Sequence, residues 1–350
     1  MNKFLEEIYE QPKALRDTLH YYVNGEGKNS IEKLSKIWKT KKFNEIIFTG
    51  MGSSFFASQS ASCLLGKYGI KSFVINASEL LHYHGSTIDE NTLLVCVSQS
   101  GESFEIVKLL ENIPSNVHCI GISNEEESVL IKKSDEYFLS RAGKEEMTST
   151  KTFVSTLLTM SIFALTIAND WNKEKAEELS NAIKVVELLL KTKENWLQDA
   201  TSILEDAQFV QVIGRGPSYS SVLQGALMFM EAARNPAAGI FGGEFRHGPM
   251  EMVKKGFKAI LYAPLGKTYD QSIKMAEDIV KFGGQVVLVT NDEKKYNDKN
   301  IYPIQIPYKE EYFFSIPAIV PLQFIVNQWA VGVGLEPGNF TRGAKVTTIE

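Results

Sequence analysis

The feature that most constrains this chain is an internal repeat. Glu45 to Ser54 reads EIIFTGMGSS, and Phe209 to Ser218 reads FVQVIGRGPS. Each is an apolar, strand-like run that enters Gly-x-Gly-x-Ser and then a helix-like stretch. The next apolar runs, Thr92 to Val97 and Lys258 to Ala263, stand at nearly the same separation. So do HCIGISN, ending at Asn124, and VVLVTN, ending at Asn291. Matched strands and turns at one offset imply a duplicated α/β unit. Each copy alternates strands with helices and so forms a parallel sheet flanked by helices.

The joint lies within Trp171 to Ala207. There Ala176, Leu179, Ile183, Val186 and Leu190 recur at steps of three and four with Glu and Lys between them. That pattern predicts an amphipathic helix and not a flexible linker. The expected division is a first unit over 1–190, with an N-terminal helix, and a second over 191–350, with a C-terminal tail.

The 350 residues suit two domains, and 44% apolar with 23% charged residues allows a sizeable core. A net charge of −5 without a basic patch gives no reason to expect nucleic acid. Cys63, Cys96 and Cys119 sit in apolar runs without a C-x-x-C, which reads as buried free thiols. MNKFLEEIYEQP is too charged for the core of a signal peptide, so a cytoplasmic protein is expected. Two long uncharged stretches, Thr152 to Asn169 and Ser315 to Leu335, carry too many hydroxyls, amides and prolines for a lipid span. They read as buried core helices.

The chemistry lies in the loops. In an open parallel sheet, ligands bind beyond the carboxyl ends of the strands. VSQSGES, Val97 to Ser103, sits at such an end and precedes a helix. The helix offers unpaired N–H groups and a positive dipole end. Ser98, Ser100 and Ser103 add hydroxyls, Gln99 adds an amide, and Gly101 lets backbone approach closely. A phosphate uses that many neutral donors; the alternative is a helix cap with spare serines. Gly50 to Ser54 is neither a dinucleotide fingerprint nor a P-loop, since Phe55 stands where a third glycine would and no Gly-Lys-Ser/Thr follows. It reads as a tight turn presenting Ser54. Ser149 and Thr150, in MTSTKTF, form a third hydroxyl-bearing loop.

The second copy has APLGK where the first has SQSGE. Its own distinctive residues are Glu231 in LMFMEAA, and Glu244 with His247 in GGEFRHGP. A carboxylate and an imidazole can serve as base and acid. A lone helical Glu is more often solvated, and His-Gly-Pro can simply end a helix.

Together these stretches resemble the double sugar-isomerase (SIS) domain family, most of all the isomerase half of glucosamine-6-phosphate synthase and the fructosamine-6-phosphate deglycases. The resemblance covers essentially the whole chain. It runs from Glu10-Gln11-Pro12 through GMGSS, SQSGES, STK, GRGPSY and EFRHGP to Ala344-Lys345 and VTTIE. It implies a flavodoxin-like three-layer α/β/α fold in each copy. It implies that Ser98, Gln99, Ser100 and Ser103 grip a sugar phosphate, with Ser54 nearby and Ser149 touching the sugar. It assigns Glu231 to proton transfer between C1 and C2 of the open-chain sugar. Ring opening falls to His247, supplied by the neighbouring subunit of a homodimer, and Lys345 reaches back to the sugar. The small-molecule sugar phosphate is the expected partner, with no nucleic acid and no membrane. No metal or other cofactor is required.

Three departures bear on activity. The synthase carries a glutaminase with a cysteine nucleophile; this chain shows no such domain, and Asn2 follows Met1. The synthase also has a lysine three residues before its catalytic glutamate, where this chain has Met228. Gln224 stands where both relatives commonly have glutamate. The wording around Glu231 and His247 is closer to the deglycases, which hydrolyse a 6-phosphorylated Amadori compound to glucose 6-phosphate and an amine. The leading expectation is a deglycase or related isomerase acting on an amino-sugar 6-phosphate through an enediol or enamine. The alternatives are plain or ammonia-dependent isomerisation of fructose 6-phosphate, and, in another class, a sugar-phosphate sensor without turnover.

Overall fold

A computed structural model describes residues 1–350 except 297, 343 and 347–350, so most of the VTTIE stretch lies outside the described residues. The chain divides into two compact units. The first takes Glu10–Ser180 and the described residues from Phe340 onward; the second takes Met1–Tyr9 and Asn181–Asn339.

This division differs from the expected one at three places. It falls inside the helix Lys173–Thr192, and the two terminal segments are exchanged. The reasons are local. Phe4 and Ile8 are fully buried, and the Tyr9 ring meets Phe324 edge-on at 5.8 Å, which ties the first helix to the second unit. At the other end Lys345 pairs with Glu145 of the first unit.

The first unit holds a five-stranded parallel sheet: β1 (Glu45–Gly50), β2 (Ser72–Asn76), β3 (Thr92–Val97), β4 (His118–Ser123) and β5 (Glu136–Leu139). Its spatial order is β2-β1-β3-β4-β5. The second unit repeats it with β6 (Val210–Gly214), β7 (Ala237–Phe241), β8 (Lys258–Tyr262), β9 (Gln285–Thr290) and β10 (Ile301–Gln305), ordered β10-β9-β8-β6-β7. Read from the opposite edge, the second order is the first. Both are the flavodoxin-like order, in which the chain reverses direction across the sheet beside its first strand. That reversal opens a mouth between the carboxyl ends of β1 and β3, and again between those of β6 and β8.

The central strands are buried on both faces, which is why β3 and β4 can be apolar almost throughout. The helix Lys151–Ile167 is buried along its whole length. Four of its six hydroxyl side chains answer their own backbone: Thr156, Thr159, Ser161 and Thr166 each donate to a carbonyl one turn earlier at 2.8–2.9 Å. Phe163 on this helix packs edge-on against Phe48 at 5.8 Å and Phe138 at 5.5 Å. In the second unit the helix Val320–Gly332 holds the core position, with Phe324 against Tyr9 and Trp196. Among the described residues, no helix is long and apolar enough to cross a membrane. Cys96 and Cys119 are buried as free thiols, while Cys63 is half-buried on the helix Gly52–Lys67.

Candidate active site

The first unit's mouth gathers five of the expected residues. Gly50 at the end of β1 pairs with Val97 at the end of β3. A Cβ on Gly50 would lie 2.7 Å from the Val97 carbonyl oxygen and 3.1 Å from the Ser54 Cβ. Glycine is needed there for close backbone approach, and that approach sets Ser54 beside the start of the 98–103 loop. Ser54 itself lies in the first turn of the helix Gly52–Lys67.

Inside the loop, the Ser98 and Ser103 hydroxyls lie 2.9 Å apart, and the Gly101 N–H donates to Ser98 Oγ at 3.1 Å. Ser100 Oγ accepts from the Glu102 N–H at 3.2 Å. The Gln99 carbonyl accepts from Ser123 Oγ at 3.2 Å and from the Asn124 N–H at 3.1 Å. Gly101 sits at φ +65°, a left-handed conformation natural to glycine. Ser103 stands at the N-cap of the helix Phe104–Asn112 and makes no side-chain capping bond. Its hydroxyl faces Ser98 instead. The first N–H groups of that helix therefore keep their positive end toward the mouth without a serine acceptor from the cap.

Asn124 connects this loop to the next. Besides the backbone bond to Gln99, its side chain accepts from the Ala142 N–H at 2.7 Å and donates to the Gly143 carbonyl at 3.0 Å. The second unit repeats the brace with Asn291, which accepts from the Leu265 N–H at 2.6 Å and donates to the Tyr308 carbonyl at 2.8 Å.

Ser149 and Lys345 come together on the loop after β5. Lys345 Nζ donates to Glu145 Oε2 and the Met147 carbonyl, each at 2.6 Å, and lies 3.4 Å from Ser149 Oγ. Glu145 has a fully buried side chain. It accepts from the Thr150 N–H at 2.8 Å, the Thr150 hydroxyl at 3.2 Å, the Thr152 N–H at 3.1 Å and the Thr152 hydroxyl. Burial pushes its carboxyl up. The Lys345 charge and the hydrogen bonds from Lys345, Thr152 and Thr150 outweigh burial and leave it below its ordinary value. Lys151, the lysine of STK, is buried and pairs with Glu10, so the Glu10-Gln11-Pro12 stretch is anchored to the same loop.

In the second unit, Glu231 and His247 are held apart. Glu231 ends the 13-residue helix Tyr219–Glu231, which starts at the carboxyl edge of the sheet after β6. It therefore lies at the amino edge, about 20 Å from the helix start at 1.5 Å per residue. The chain then climbs β7, parallel to β6, and His247 follows the short helix Gly242–Arg246 back at the carboxyl edge. Phe245 is buried and Arg246 is paired with Asp278 at 2.7 Å, which leaves His247 exposed. Met228 and Gln224 on the Glu231 helix are fully buried.

Sequence reasoning did not single out Glu145 or Asn124 as site residues. Asn124 had a signal, its match to Asn291 in the repeat; Glu145 had none, since GKEEM reads as solvated charge.

The SIS domain profile matches residues 40–166 and again 203–331, covering both copies. The chain belongs to the SIS domain family. Among curated proteins, this SIS chain is 30% identical over 353 residues to glutamine–fructose-6-phosphate aminotransferase [isomerizing] of Pyrococcus horikoshii. The match takes in 99% of this chain and 57% of that relative, so the chain spans little more than half the relative's length. Among solved structures, the C-terminal domain of glucosamine-fructose-6-phosphate aminotransferase from Francisella tularensis superposes with a TM-score of 0.84 at 24% identity, covering 95% of this chain and 96% of that one. Tagatose-6-phosphate ketose/aldose isomerase from Escherichia coli superposes with a TM-score of 0.80 at 16% identity, covering 97% and 95%. At those identities the two structures speak to the SIS fold, which both copies share.

Proposed function

We propose that this SIS protein is a phosphosugar enzyme acting at C1 and C2 of an amino-sugar 6-phosphate, as a deglycase or closely related isomerase. The observation that carries this is the mouth between β1 and β3. There Ser103 occupies a cap position without a side-chain capping bond, and Ser98, Ser103 and the Gly101 amide converge beside the helix N-terminus. A phosphate ester fits that set of donors. The relatives named for fructose 6-phosphate and tagatose 6-phosphate support the same substrate class.

The phosphate anchors the sugar at C6 and supplies positioning energy for chemistry at its far end. Glu231 takes a proton from C1 of the open-chain ketoamine, passing through an enaminol, and returns it to C2. The C1–nitrogen bond is thereby left as an imine. Water adds to it, the amine leaves with a proton, and glucose 6-phosphate remains. His247 serves ring opening. One unit sets Glu231 and His247 at opposite edges of its sheet, which supports a homodimer whose sites take His247 from the partner. Lys345, beside Ser149, reaches the sugar. Met228 is a buried apolar residue and favours the deglycase over synthesis. A cytoplasmic setting accords with three cysteines that are not joined in disulfides.

The test is incubation with a set of fructosamine 6-phosphates bearing different amines, with glucose 6-phosphate measured. Fructose 6-phosphate, with and without ammonium, runs alongside as the competing isomerase substrate. Glu231→Gln is expected to lower turnover at least about 100-fold while sugar-phosphate binding persists. Equal turnover by that variant overturns the proton shuttle. Binding of sugar phosphates with no turnover of any of them leaves a sensor.

A further inference from the structure

We propose that Glu145 is a positioning residue that joins the segment carrying Lys345 to the sugar-contacting loop 147–150. The role of that loop rests on the function proposed above; the joint itself rests on geometry. Glu145 is a fully buried carboxylate outside the roles already given to Glu231 and His247. One oxygen, Oε1, collects the Thr150 N–H, the Thr150 hydroxyl and the Thr152 N–H. The other, Oε2, takes the Thr152 hydroxyl and Lys345 Nζ. One side therefore fixes the start of the helix Lys151–Ile167, and with it the backbone of Ser149. The other side binds a residue about two hundred positions away in sequence.

The acceptors around Lys345 also account for its donors. An ammonium carries three donors and no lone pair. Here it faces a carboxylate oxygen, a carbonyl oxygen and a hydroxyl, namely Glu145, Met147 and Ser149. Docked in this way, all three donors face the loop, and Lys345 meets the sugar as a positive charge beside Ser149. A buried carboxylate that lost this partner would stand uncompensated, which is strongly unfavourable. Docking of the Lys345 segment and order in the sugar loop thus support each other.

The experiment compares Glu145→Gln with the parent. Trypsin cleavage after Lys345, read by mass spectrometry as release of residues 346–350, is expected to be at least about tenfold faster in the variant, the loss of one charge-assisted bond. Affinity for inorganic phosphate is expected to stay within about twofold, because the phosphate mouth is built from other residues. For any substrate the parent turns over, kcat is expected to fall with KM little changed. Lys345→Met is expected to fall by the same factor, and the double variant no further. In Lys345→Ala, added n-propylammonium, which replaces the atoms removed, restores turnover only while Glu145 is present. Parent-like cleavage at Lys345 in a folded Glu145→Gln protein overturns the proposal. Should Glu145→Gln not fold, hydrogen exchange at 147–150 in Lys345→Met decides: faster exchange supports the joint, and parent-like exchange refutes it. The cleavage and exchange readouts need no substrate, so failure of the proposed activity and failure of the joint are separable.

Discussion

Replacing Gly101 with alanine tests the proposed phosphate mouth at its tightest point. Gly101 lies at φ +65°, where a side chain costs about 1–2 kcal/mol. Space is the larger problem. The new Cβ would lie 2.1 Å from Ser128 Oγ, 2.4 Å from Ser128 Cβ and 3.2 Å from Ser123 Oγ, against an ordinary contact of 3.4–4 Å. The Leu130 N–H donates to the Gly101 carbonyl at 3.1 Å, so Ser128 and the loop cannot separate without breaking that bond. Overpacking of this kind costs about 1–3 kcal/mol when the surroundings hold. The loop is the softer partner and shifts instead, carrying the Ser98 and Ser103 hydroxyls off target. Losing the equivalent of one hydrogen bond to a charged group, about 2 kcal/mol, lowers affinity about 30-fold. Isothermal titration with fructose 6-phosphate measures it. Ser128→Gly removes both obstructing atoms and is expected to recover part of the loss in the double variant. Unchanged affinity in Gly101→Ala would mean that the phosphate sits elsewhere, and the account of the 98–103 loop would be wrong.

Two other outcomes follow from the same structure. Phe163→Ala removes the ring between Phe48 and Phe138 and is expected to destabilise the protein by about 3–5 kcal/mol, read from urea midpoints. Under the proposed homodimer with shared sites, mixing Glu231→Gln with His247→Ala, each expected to be inactive alone, restores about a quarter of parent activity, since half the dimers would be mixed and each of those would have one intact site. No recovery after subunit exchange refutes sharing of His247.

Much of the fold was legible because the central strands announce themselves. β1, β3, β4, β6, β8 and β9 are apolar runs buried on both faces, and the repeat was found through them. The edge strands β2, β5, β7 and β10 are only partly buried; β2, β5 and β10 mix polar with apolar residues, and β7 is a short AAGIF run, so no comparable signal marks them. The hydroxyl loop was legible because strand, glycine and helix bracket it in sequence. Glu145 was not. It stands beside Glu146, which is exposed, and sequence alone does not say which of the two is buried. Its partners, Thr150, Thr152 and Lys345, gather only once the chain has folded. The terminal exchange between units was hidden for the same reason: Phe4 and Lys345 choose their units by contacts distant in sequence.

The helix Tyr219–Glu231 works as a spacer as much as a support. Under the proposed chemistry each chain lends one group to its own reaction centre and another to its neighbour's, and completes neither alone. Catalytic competence then belongs to encounters between chains. Protein concentration, and whatever governs assembly, becomes part of the rate law.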